Sequence, residues 1–194
     1  MHSTACSRSP SRCSRKPLVG FDALGSEVRF QGRMIRTGIE RYRHDDGTEV
    51  SREKVWHPGA VGVVALEQDS VWLTRQPREV VGATASLEVP AGKLDVEGES
   101  PLDTAKRELA EEIGQHAERW KEIFVFYTSP GFSDERIWLY EATGLSVDPD
   151  FEPDRSERIE IVRWPLDRLD EAIAECEDSK TLIGLLWLAA RRRG

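Results

Sequence analysis

The stretch from Ser100 to Gly114 constrains this chain more than any other, because it carries its own start, its own stop and a fixed allocation of faces. Ser100 is a good N-cap, Pro101 suits the first helical position, and Asp103 falls in the positively polarised first turn. Gly114 is a natural C-terminal stop. These signals predict a helix over about 100–113. At 100° per residue, Leu102, Ala105, Leu109 and Ile113 fall within about 80° of arc and form a stripe to be buried. Glu108 and Glu112 lie one turn apart on a flank of that stripe, Glu111 sits about 60° further round, and Arg107 faces elsewhere. Three carboxylates so close repel one another. Taken alone they read as a solvated acidic face. If they serve chemistry, a cation must offset them, and hard oxygens without histidine or thiolate select magnesium or manganese.

Around this helix the chain reads as short strands. Val28, Phe30, Met34 and Ile39 mark one or two strands, and the turn Asp45-Asp46-Gly47 leads into Val50 to Trp56. The apolar run Ala60 to Leu66 has the length of a buried strand. Val71 to Arg75, Leu87 to Val89, Ile123 to Tyr127, Ile137 to Tyr140 and Ile159 to Trp164 complete the set. Further helices are expected at about 167–176 and 179–192, the last apolar almost all round and so buried on several sides. Strands and helices interleave without a repeated βαβ period, which implies an α+β domain with helices packed on sheet faces. Residues 1–17 read as a disordered basic leader, Ser- and Arg-rich without an apolar period, and residues 18–194 as a single domain.

Charge narrows the partners. The chain carries a net −8; four of its 27 basic residues lie in residues 1–16 with no acid, leaving 23 bases against 35 acids, a net −12, on the body. So acidic a surface is a poor binder of nucleic acid, and any phosphate must be met by local arginines or carboxylate-held cations. The longest apolar run near the C-terminus, Leu182 to Ala190, is nine residues, whereas a membrane span needs about 20. Three scattered cysteines and four scattered histidines make neither a disulfide framework nor a metal cluster, which points to a reduced, cytoplasmic compartment.

From Gly92 the chain runs Gly92-Lys-Leu-Asp-Val-Glu-Gly-Glu99 and then, through the helix, Arg107-Glu108-Leu109-Ala110-Glu111-Glu112-Ile113-Gly114. This resembles the Nudix box, Gly-x5-Glu-x7-Arg-Glu-U-x-Glu-Glu-x-Gly-U, where U is aliphatic. Two positions depart from it: the first spacer, Lys93 to Gly98, has six residues, and Gln115 stands at the final aliphatic position. The longer spacer matches sequences of the ADP-ribose-hydrolysing group. The resemblance implies a Nudix fold, a mixed sheet sandwiched between helices with an N-terminal antiparallel strand region. It also implies Glu108 and Glu112 as main metal ligands, the Ala91 carbonyl as a backbone ligand, and Glu111 as an additional ligand or base. Glu99 and Arg107 correspond to a clamp that orients the glutamates, and Glu99 is a further candidate metal ligand. Divalent ions of this kind neutralise a diphosphate and activate an attacking water.

Other segments are similar to the ADP-ribose pyrophosphatase subfamily. Ser129-Pro130-Gly131-Phe132-Ser133-Asp134-Glu135 resembles its proline signature, which gives Pro130, Gly131 and Phe132 a place over a bound sugar or base. Gln76-Pro77-Arg78 matches a Gln-x-Arg whose arginine meets the diphosphate, with Glu88 orienting Arg78 or touching substrate, and Arg52 is a second candidate. His57 reads as a turn residue. Glu157, before the Ile-Glu strand, corresponds to the acid of a mobile loop and is the candidate general base. Asp178-Ser179-Lys180-Thr181 also fits the group. The resemblance thus implies hydrolysis of ADP-ribose to AMP and ribose 5-phosphate by a homodimer joined through residues 18–57. A broader nucleoside diphosphate sugar pyrophosphatase and a non-catalytic ADP-ribose sensor are the alternatives.

Overall fold

The computed structural model describes residues 20–152 and 158–193. Two sheets divide the work. The first is an antiparallel meander of β1 (Phe21–Gln31), β2 (Arg36–His44) and β3 (Glu49–Trp56). Two strands therefore stand where the apolar marks left one or two, and Met34 lies in the connection between them. Gly38 lets β1 and β2 close up, since a Cβ there would sit 2.1 Å from the Glu27 carbonyl oxygen. Every residue of β1 is exposed, Phe21, Val28 and Phe30 included.

The second sheet is built around β4 (Ala60–Glu67). It runs β10 (Glu160–Pro165), β5 (Ser70–Arg78), β4, β9 (Arg136–Val147), β8 (Gln115–Tyr127), with β6 (Ala83–Glu88) on β5 and β7 (Ala91–Lys93) on β4. The β4–β9 pair is parallel and the others antiparallel. A parallel pair needs a crossover, and that crossover carries the helix α1 (Pro101–Ile113). The other helices, α2 (Leu169–Glu175) and α3 (Ser179–Arg193), pack together on the opposite face.

The period of two along β4 sorts its side chains between these layers. Val61, Val63 and Ala65 cluster with Ala105, Leu109 and Ile113 of α1. Val64 points the other way, into the cluster with Leu185, Leu188 and Ala189 of α3. Gly184 permits that second contact, because a Cβ there would stand 2.8 Å from a Val64 methyl. The expectation that α3 is buried on several sides is not met. It buries one face, Thr181, Gly184, Leu185 and Leu188, and leaves Leu186 exposed, as an outer-layer helix must.

The ends of α1 follow the sequence signals. Ser100 Oγ accepts from the Asp103 amide at 3.2 Å, and Gly114, at φ +63°, donates to the Ala110 carbonyl. Strand β8 differs from expectation by starting at Gln115 rather than at Ile123. It is the edge of its sheet, and its first half is largely polar, with Ala117 and Trp120 only partly buried, instead of forming an apolar run. Among the described residues no helix is long and apolar enough to cross a membrane.

Leu109 is wholly buried between α1 and β4. Leu109→Ala is expected to cost about 2–5 kcal/mol of unfolding free energy, read as a lowered urea midpoint. A loss below about 1 kcal/mol would mean that this layer contributes little to the fold.

Candidate active site

Once the apolar stripe of α1 is seated on β4, the helix can present its acidic flank in one direction only, toward β7. Glu112 is 8% exposed, and its Oε2 accepts the Ala91 amide hydrogen at 2.9 Å. Glu108 lies against Gly92 so closely that a Cβ on that residue would fall 1.9 Å from the Glu108 carboxyl carbon. The glycine is required here by the approach of a carboxylate, not by its backbone angles.

Arg107 corrects a reading made on the helical wheel. Its Cα does face away from the glutamate flank, but the long side chain folds back. Nη1 donates to Glu108 Oε1 at 2.8 Å and to Glu111 Oε2 at 2.7 Å. Nε and Nη2 reach Glu99 at 3.2 and 3.1 Å, and the Thr104 hydroxyl donates to Glu99 at 2.9 Å. Glu99 and Arg107 are therefore clamped together across the loop-to-helix junction. Hydrogen bonding from Arg107 holds the Glu99 carboxyl below its ordinary range, and that same bond raises the guanidinium further against the opposing effect of burial. Among the described residues, no group of three or more His, Cys, Asp or Glu side chains is arranged to hold a metal ion as it stands.

Ala91 and Gly92 also line a groove of about 790 Å³, with Arg78, Glu88, Lys180, Thr128 and Glu135 among others. Arg78 and Glu88 belong to neighbouring strands, β5 and β6, and form a fork with Nε to Oε1 at 2.6 Å and Nη2 to Oε2 at 2.7 Å. Glu88 is 2% exposed. Burial alone would push its carboxyl up, but Arg78 and Lys180 together outweigh that and hold it down at about 2. Glu112 is near enough to add to the field that stabilises the charged Arg78.

The remaining substrate candidates stand apart. Arg52, Pro130, Gly131 and Phe132 line a second cavity of about 570 Å³, together with Phe21 and Tyr42 of the N-terminal sheet. The turn that carries the proline is docked on β3. The Val55 amide donates to the Phe132 carbonyl at 2.8 Å, the Asp134 amide to the Val55 carbonyl at 3.2 Å, and the His57 amide to Asp134 Oδ1 at 2.9 Å. His57 is a turn residue, as expected: its Nδ1 accepts the Gly59 amide hydrogen at 3.1 Å. The turn separates the cavities, with Thr128, Ser129 and Glu135 on the first and Pro130 to Asp134 on the second. Glu157, the candidate base, lies outside the described residues.

Thr128, Glu135 and Lys180 are among the groove residues to which the sequence assigned no site role. Lys180 stood within a segment already singled out, but its partner Glu88 is 92 residues away, beyond any local pattern. Glu135 was visible only as the last residue of the proline signature.

Residues 56–182 match the family profile described as the NUDIX domain. The chain is 37% identical over 169 residues to a methanol dehydrogenase activator of Bacillus methanolicus, covering 85% of this chain and 90% of that protein. It is 36% identical, with the same coverage, to an ADP-ribose pyrophosphatase of Bacillus subtilis. An ADP-ribose pyrophosphatase of Mycobacterium tuberculosis is 40% identical over 126 residues, 64% of this chain and 60% of that one. A solved structure titled as an ADP compounds hydrolase superposes with a TM-score of 0.73 at 22% identity, over 93% of this chain and all of that one, which speaks to the fold. With Glu108 and Glu112 packed on Gly92 and Ala91, and the match spanning most of the chain, this protein belongs to the Nudix family.

Proposed function

We propose that this protein hydrolyses the pyrophosphate bond of ADP-ribose, giving AMP and ribose 5-phosphate, with magnesium or manganese as cofactor. The observation that carries the reading is a juxtaposition. The carboxylates Glu108 and Glu112 pack against Ala91 and Gly92, and those two residues line a groove together with the Arg78–Glu88 fork. A diphosphate laid in that groove meets a guanidinium on one flank and an oxygen-rich pocket on the other. That two relatives are named ADP-ribose pyrophosphatases supports the choice of sugar.

The donor set fits a hard divalent cation in kind: Glu108, Glu112, Glu99 and the Ala91 carbonyl offer oxygen alone. The contacts of Arg107 with Glu99, Glu108 and Glu111 mark the same pocket as one that holds positive charge. When bound there, a divalent cation neutralises the diphosphate and makes its phosphorus more open to attack by water. The residues supply the rest. Arg78 grips a diphosphate oxygen while Glu88 fixes its direction, Arg107 steadies Glu108, and Ala91 steadies Glu112. Glu111, whose side chain is 58% exposed, serves as an additional ligand or as a proton acceptor, with Glu157 as the leading candidate base. Arg52, Pro130, Gly131 and Phe132 contact the nucleoside or sugar from the second cavity. A second copy, joined through residues 18–57, covers the exposed apolar side chains of β1 and makes the protein a homodimer.

The test is phosphate release, after coupling to phosphatase, from ADP-ribose, ADP-glucose, GDP-mannose and NADH with magnesium. ADP-ribose is expected to turn over fastest, and EDTA to abolish the reaction. Glu112→Gln, which can still accept from Ala91, is expected to lower kcat at least about a hundredfold, the scale seen when a charge-stabilising group is lost. Equal rates on all sugars would remove ADP-ribose as the preferred substrate. Binding of ADP-ribose without turnover would make the protein a sensor.

Gly92→Ala tests the approach of Glu108. The added methyl must displace that carboxylate, so kcat is expected to fall about tenfold or more while the melting temperature moves by only a few degrees. Unchanged kcat would separate Glu108 from the chemistry.

A further inference from the structure

Glu88 carries two cations. Besides the fork to Arg78, its Oε2 accepts from Lys180 Nζ at 2.6 Å. Lys180 in turn pairs with Asp178 at 3.0 Å. Asp178 caps α3, accepting from the Thr181 hydroxyl at 2.6 Å and from the Thr181 amide at 3.0 Å. Thr181 Oγ1 accepts the Val89 amide hydrogen at 2.8 Å, which ties the start of α3 to the strand end beside Glu88. The Lys180 side chain is 12% exposed and lines the groove.

Count the charges. With Lys180 in place, Arg78 and Lys180 balance Glu88 and Asp178, and the cluster is neutral. Without Lys180 it is negative by one, and Glu112 already adds its own negative charge to the surroundings of Arg78. A buried carboxylate with a single cation would also cancel most of that cation's pull on an incoming anion, because the pair is a short dipole and not a charge. The fork engages Nε and Nη2 of Arg78, so Nη1 takes no part in it.

We propose that Lys180 is a positioning residue for the diphosphate-binding arginine. It offsets the charge of Glu88 and shares Oε2 with Arg78, so that Glu88 can fix the direction of Arg78 without cancelling its attraction for phosphate. This rests on the reading that Arg78 meets a diphosphate.

ADP is the probe, since it carries the diphosphate and its binding needs no turnover. Calorimetric titration of ADP is compared for wild type, Lys180→Met, Lys180→Arg and Asp178→Asn, with the KM and kcat for ADP-ribose measured alongside. Lys180→Met is expected to weaken ADP about tenfold and to raise KM by a similar factor, with kcat within about threefold of wild type. Lys180→Arg is expected to restore affinity. Asp178→Asn keeps an oxygen for Thr181 and removes one negative charge, so it is expected to bind ADP about two- to fivefold more tightly. That sign is the decisive one, since a residue that merely holds α3 in place would weaken binding when altered, and it keeps the test open if Lys180→Met does not fold. Unchanged ADP affinity in Lys180→Met, failure of Lys180→Arg to restore it, or weaker binding by Asp178→Asn would each overturn the proposal. If wild type binds ADP but hydrolyses no nucleoside diphosphate sugar, the activity reading fails while the Lys180 proposal is still decided by the ADP affinities.

Discussion

The seating of α1 on β4 is the contact on which the rest depends. Leu109, Ala105 and Ile113 have one place to go, against Val61, Val63 and Ala65, and that fixes the rotation of the helix about its own axis. A helix rotated by one residue would turn Glu108 and Glu112 by about 100°, away from β7. The carboxylates reach Ala91 and Gly92 because hydrophobic burial on one side of the cylinder leaves them no alternative on the other. Repulsion among them is tolerated because Arg107 gathers three acids, Glu99 from the loop and Glu108 and Glu111 from the helix.

Charge in the groove is arranged on a different plan. The α1 carboxylates are held by helix geometry and an arginine of the same helix, within reach of local sequence. The Arg78, Glu88, Asp178 and Lys180 cluster is assembled from a hairpin and from the start of a helix near the end of the chain. Glu88 tolerates deep burial because both of its oxygens are engaged by cations. Gly62 adds a steric condition: a Cβ there would lie 3.1 Å from Leu139, 3.4 Å from Val89 and 3.7 Å from the Lys180 stem, so the central strand runs directly beneath the aliphatic part of that lysine.

How much of this was legible follows from the range of each interaction. The helix over 100–113 was readable to its caps, since capping, periodicity and the glycine stop act within a few residues. The buried strand at Ala60 to Leu66 was readable because every residue of it is apolar or small. The first half of β8 was not, because an edge strand mixes inward and outward residues and its partner β9 lies further along the chain. Arg107 shows the limit of a wheel, which projects Cα directions and ignores the length of the side chain. The substrate candidates were gathered into one set by resemblance, yet they face two cavities, and only the pairing of β3 with the proline turn decides which residue faces which.

That turn has a consequence of its own. Residues Thr128 to Glu135 form a partition one chain thick, with a different chamber on each side. Hydrogen bonds to Val55 and His57 anchor it to the N-terminal sheet, and Thr128 braces Glu135 on the groove side at 2.6 Å. A ligand long enough to reach both chambers would meet the two faces of one short segment, and the N-terminal sheet is the frame to which that segment is tied.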